Sequence, residues 1–110
     1  MTPALAERTC IPCEGGVAPL EPEQVGALTA ELGGGWRVAE GRRLEKSYTF
    51  DDFAQALAFT NRVGALAEEQ GHHPDIHLSW GQVTLTLWTH AAGGLTESDF
   101  VLAAKADRLI

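Results

Sequence analysis

Hydrophobic positions recur along this chain with two alternating periods. In "LEPEQVGALTAEL" (Leu20–Leu32), Val25, Leu28 and Leu32 fall at helical spacing, and the glycines at 33–35 end the run. "WRVAE" and "RLEKSYTF" then alternate apolar with polar around Gly41. They predict a hairpin with Trp36, Val38, Leu44, Tyr48 and Phe50 facing inward. "DDFAQALAFTNRVGALAEEQG" returns to helical spacing, with Phe53, Ala56, Leu57, Val63, Gly64 and Ala67 on one face. Asp51 or Asp52 can cap its start, and Gly71 marks its end. "PDIHLSW" and "QVTLTLWTH" alternate strictly, and Gly81-Gln82 between them suits a two-residue turn. A last helix is read in "LTESDFVLAAKADRLI", where Thr96 and Asp99 have capping-box spacing. Helix, strand pair, helix, strand pair, helix is the order of an α+β fold: a four-stranded antiparallel sheet with helices on one face. Residues 1–20 are rich in Gly, Pro and small side chains and read as an N-terminal arm; 21–110 form the folded unit.

Composition narrows the classes. A chain of 110 residues supports one domain. A formal net charge of −7 and the scatter of its eight Lys and Arg argue against nucleic acid held by a basic surface. No apolar run approaches the ~20 residues that cross a bilayer, so no membrane partner is expected. "MTPALAERTC" lacks the basic-then-apolar layout of a secretory signal, and a cytoplasmic location is the expectation. The only two cysteines, Cys10 and Cys13 in "CIPC", read as incidental or reduced thiols of the arm; a local disulfide or a metal site borrowing a histidine is the alternative.

The chemistry concentrates in "GHHPDIHLSW", which holds three of the four histidines; His90 ends the next strand. With the turn at Gly81-Gln82, Trp80 faces Val83, Leu78 faces Leu85 and Ile76 faces Leu87, all toward the core. The same register pairs Asp75 with Trp88 and His73 with His90, bringing two imidazoles together with His72 beside them. His77 lies four strand residues from His73, roughly 13 Å away, and reads as an ordinary surface histidine. Zinc held by His72, His73 and His90, with Asp75 as the close carboxylate, is the competing reading and would make a metal-dependent hydrolase. General acid–base work fits better, since imidazoles exchange protons near neutrality. Trp80 reads as core, whereas Trp88 on the polar face can stack on a flat ligand or a neighbouring subunit. Asp99 reads as a helix-start residue and Glu68 as solvated.

"HHPDIHLSWGQVTLTLWTHAAGGLTESD" resembles the signature of the pterin-4a-carbinolamine dehydratases. That signature is His-His-Pro, an aromatic residue, a histidine and an aspartate, here His72-His73-Pro74, Trp80, His90 and Asp99. The resemblance extends over most of the chain. It implies two β-β-α units with an extra N-terminal helix, and dehydration of 4a-hydroxytetrahydropterin to quinonoid dihydropterin with no metal or organic cofactor. It implies catalytic roles for His72, His73 and His90, and pterin contacts from His72 to Pro74 and from Thr89 through His90 and Ala91 to Ala92. Trp88 joins these contacts by position, and Glu68 and Asp99 take supporting roles. It further implies a homodimer or homotetramer and a functional link to an aromatic amino-acid hydroxylase. Relatives that act as non-catalytic binding or assembly factors supply the alternative function. Retention of all three histidines favours catalysis.

Overall fold

The computed structural model describes residues 4–8 and 18–110; Cys10 and Cys13 lie outside the described residues. Helix α1 (Pro22–Leu32) precedes strands β1 (Arg37–Ala39) and β2 (Arg43–Thr49), helix α2 (Phe53–Gln70), strands β3 (Asp75–Ser79) and β4 (Gln82–Leu87), and helix α3 (Glu97–Asp107). The strands form one antiparallel sheet in the order β1-β2-β4-β3, with the two hairpins joined through β2 and β4. This is the α+β architecture expected from the alternation of periods. Leu44, Tyr48, Val83, Leu85 and Leu87 point from the sheet into a core completed by the helices. The opposite face carries Glu45, Ser47, Thr84 and Thr86.

Helix α2 starts where expected, with Asp52 accepting from the Gln55 backbone N–H at 2.8 Å, and ends at Gly71 in the left-handed conformation. Its buried stripe differs from the sequence reading. Ala56, Phe59, Val63 and Ala67 face the core, while Phe53 and Leu57 are exposed. Phe59 draws the helix round, because its ring packs between Tyr48 (centroids 4.6 Å) and Phe50 (5.2 Å). The N-terminal arm also contributes. Leu5, in a short 3-10 turn (Leu5–Glu7), is buried in the core, and the adjacent Arg8 pairs with Glu97 at 2.6 Å.

The second hairpin is shifted from its expected register. Ser79 pairs with Gln82, Leu78 with Val83, Ile76 with Leu85 and Asp75 with Thr86. The turn residues are therefore Trp80 and Gly81 rather than Gly81 and Gln82. Each residue of β3 meets a partner two positions earlier than expected, so facing directions survive along the strand. Trp80 does not survive as a core residue: it occupies the turn at φ +30° and is 68% exposed. The cause is the neighbouring end of β2. The Phe50 N–H donates to the Gly81 carbonyl at 2.7 Å, and a Cβ at position 81 would lie 2.8 Å from the Phe50 carbonyl oxygen. Only glycine fits that close approach. Ile76, on edge strand β3, is also less buried than its alternation suggests.

Helix α3 is fastened at its far end by Asp107. Its carboxylate accepts from Trp36 Nε1 at 3.0 Å, Lys46 Nζ at 2.8 Å and the Tyr48 hydroxyl at 2.5 Å. Burial, then the hydrogen bond to Asp107 and that carboxylate's charge, hold the Tyr48 phenol well above its ordinary range. The folded protein keeps this proton at pH values where the unfolded chain has lost it, so stability falls as pH rises past ~10, by about 1.4 kcal/mol per unit. Tyr48→Phe should remove this component. The urea-unfolding free energy lost between about pH 9 and about pH 11 should shrink by about 1.4 kcal/mol relative to wild type. An unchanged loss would show that Tyr48 is not its source.

Candidate active site

The end of α2 and the end of β4 converge on one cavity. Gly71 closes the helix, with the Gly71 and His72 N–H groups both directed to the Ala67 carbonyl, so His72 and His73 emerge immediately beyond the last turn. Pro74 lacks the N–H a ladder needs, and β3 begins at Asp75. Across the sheet, the Thr89 N–H donates to the Gly94 carbonyl at 2.9 Å, closing a loop that contains a 3-10 turn (His90–Ala92). His90 opens that turn.

The cavity has a volume of 360 Å³ and is lined by Gly71, His72, His73, Pro74, Asp75, Trp88, Thr89, His90 and Ala91. The three imidazoles that the sequence groups together all line this cavity, though by a register that needs correction. Continuing the observed β3–β4 ladder sets position 73 beside Trp88, not His90. His90 reaches the same space because the chain turns after Leu87. Ala92, expected among the pterin contacts, does not line the cavity. His77 stands apart on the open face of the sheet, paired with Thr84.

Two of the imidazoles are braced by carboxylates. His72 Nε2 lies 2.6 Å from Asp99 Oδ1, and Asp99 is fully buried. Asp99 Oδ2 accepts from the Thr89 hydroxyl at 2.8 Å and from the Thr96 N–H at 2.9 Å. Asp99 thus serves both as the helix-start residue expected from the capping box and as the anchor of His72. A carboxylate only accepts, so Nε2 carries the hydrogen and Nδ1 is the ring position left for chemistry. The Thr96 hydroxyl, 2.9 Å from that of Thr89, completes the buried network. His73 Nε2 bonds to Glu68 at the exposed rim, so Glu68 is not simply solvated. His90 packs on Trp88, with ring centroids 4.0 Å apart. Among the described residues, no three His, Cys, Asp or Glu side chains are grouped as a metal site requires. Thr96 and Arg43, which stacks on Trp88, were not singled out as site residues. The capping spacing pointed to Thr96, whereas Arg43 needs the β2–β4 register.

Fold and cavity together define a small α+β protein with an imidazole-lined pocket of a size that takes a small planar molecule. The chain belongs to the family described as pterin 4 alpha carbinolamine dehydratase, whose model matches residues 18–109. It is 50% identical over 109 residues to a Rickettsia bellii protein provisionally named a pterin-4-alpha-carbinolamine dehydratase, covering 99% of this chain and 96% of that one. A similarly named Rubrobacter xylanophilus protein is 54% identical over 105 residues, covering 96% and 97%. Among solved structures, a transcriptional coactivator/pterin dehydratase from Brucella melitensis superposes with a TM-score of 0.77 at 30% identity, covering 83% of this chain and 97% of that one. A pterin dehydratase-like protein identified as a RuBisCO assembly factor in the alpha-carboxysome superposes with a TM-score of 0.60 at 31% identity, covering 71% and 92%.

Proposed function

We propose that this protein dehydrates 4a-hydroxytetrahydropterin to quinonoid dihydropterin and water by general acid–base catalysis. The observation that carries the reading is the convergence of His72, His73 and His90 on one cavity, with His72 oriented by a buried carboxylate. In the reaction the C4a–O bond breaks, the hydroxyl leaves as water with a proton from an acid, and N5 gives up its own proton as the C4a=N5 bond forms. His90 and His72 are the donors to the leaving oxygen, each serving one face of the ring. His72 delivers through Nδ1 while Asp99 stabilises the cationic ring from Nε2. His73, tethered by Glu68 at the rim, orients the pterin or takes the N5 proton. Pro74, Thr89 and Ala91 complete the walls, and Trp88, packed against His90, lines the cavity beside them.

In this reading the enzyme works in the cytoplasm, recycling the pterin of an aromatic amino-acid hydroxylase, and assembles as a homodimer or homotetramer. The exposed Phe53, Leu57, Ile76 and Trp80 support assembly. Stopped-flow dehydration of 4a-hydroxytetrahydropterin tests the function: added protein should raise the first-order rate in proportion to its concentration. A second reading, a non-catalytic binding or assembly role, is favoured by the likeness to the RuBisCO assembly factor. A rate equal to that in buffer alone would select it.

A further inference from the structure

The three cavity imidazoles are not held alike. His72 and His73 each have a carboxylate partner. Among the described residues, no side-chain hydrogen bond reaches the His90 ring; its ring contact is with Trp88, the two planes inclined by 37°. Trp88 is contacted in turn by Arg43, whose guanidinium carbon lies 4.9 Å from the indole centroid. The sheet dictates this meeting. Leu44 pairs with Leu87, so the next step of the ladder sets Arg43 beside Trp88 on the open face. Arg43 is also steered from its own hairpin, where the Glu40 carboxylate approaches it to 3.9 Å.

We propose that Arg43 is a positioning residue for His90, acting through Trp88. The guanidinium fixes the indole plane, and the indole limits the orientations open to an imidazole that no side-chain hydrogen bond holds among the described residues. An exposed ring without a partner spreads over its rotamers, and catalysis needs the fraction aimed at the reacting atom. Arginine suits the task because its planar cation stacks on an aromatic face, which an ammonium does less well. For activity the inference rests on the dehydratase reading; for ring orientation it rests on geometry alone.

NMR of histidine-labelled protein separates the two. With the two rings this close, the His90 ring protons should carry a ring-current shift from Trp88. Arg43→Ala should move them toward the values of a free side chain while the His72 and His73 signals stay in place, and Arg43→Lys should fall between. Dehydration kcat should drop about two- to fivefold in Arg43→Ala, the scale of an exposed cation–π contact, with KM little changed. Unmoved His90 signals in Arg43→Ala overturn the inference, as would equal movement at all three histidines, which marks general loosening. A wild-type protein without turnover whose His90 signals still respond to Arg43 sinks the dehydratase reading and upholds the positioning.

Discussion

Replacing His90 with alanine is expected to slow dehydration by about 10²–10⁴-fold, the range for losing one general acid. The fold should hardly notice. His90 is exposed and lies in a surface turn with its ring against Trp88, so unfolding free energy should stay within about 0.5 kcal/mol of wild type. Stopped-flow turnover and urea denaturation of the same preparation check both halves. Near-normal turnover would remove His90 from the chemistry, and a large stability loss would make any rate effect uninterpretable as catalysis.

Asp99→Asn is expected to reduce activity and stability together. The wild-type carboxylate receives three donors: His72 Nε2, the Thr89 hydroxyl and the Thr96 N–H. An amide offers one oxygen and must point its NH2 at one of them. The least costly arrangement keeps the oxygen on Thr89 and Thr96 and turns the NH2 toward His72. That imidazole must then move its proton to Nδ1 and accept at Nε2. The reactive nitrogen changes character, and turnover should fall on the order of 10–100-fold, as when a partner that orients a histidine is lost. Imperfect pairing in a fully buried position should cost about 1–3 kcal/mol. Nitrogen-15 shifts of His72 would report the tautomer directly. Wild-type turnover with the original tautomer would show that Asp99 does not govern His72.

The two variants differ because the same cavity is built from unlike materials. His90 is borne by a surface loop and an aromatic contact, so its loss is local. Asp99 is shared between a helix cap and a cavity imidazole, so the fold and the candidate site meet there in one network. α3 carries a second carboxylate, Asp107, clamped to Trp36, Lys46 and Tyr48. The helix is therefore pinned to the sheet at one end and to the candidate site at the other.

Element type and order were legible from periodicity, because alternation and the 3.6-residue repeat record which face each segment buries. Asp52, Gly71 and the Thr96–Asp99 box were legible because caps satisfy the helix's own backbone groups. The nearness of His72 and His73 to the end of β4 was also within reach, since a hairpin needs only a nearby turn to bring its strands together; the turn after Leu87 that delivers His90 was not. What local pattern could not decide is how separate elements press on one another. The end of β2 moved the second turn by one residue and put Trp80 outside. Tyr48 and Phe50 drew Phe59 inward and left Phe53 and Leu57 exposed. Pairing of β2 with β4, from different hairpins, set Arg43 on Trp88. Burial of α3 turned a helix cap into the partner of His72. The elements and the chemical groups available follow from backbone and side-chain preferences that act locally along the chain. Partners and register depend on contacts between residues far apart in the chain, so they emerge when the elements pack.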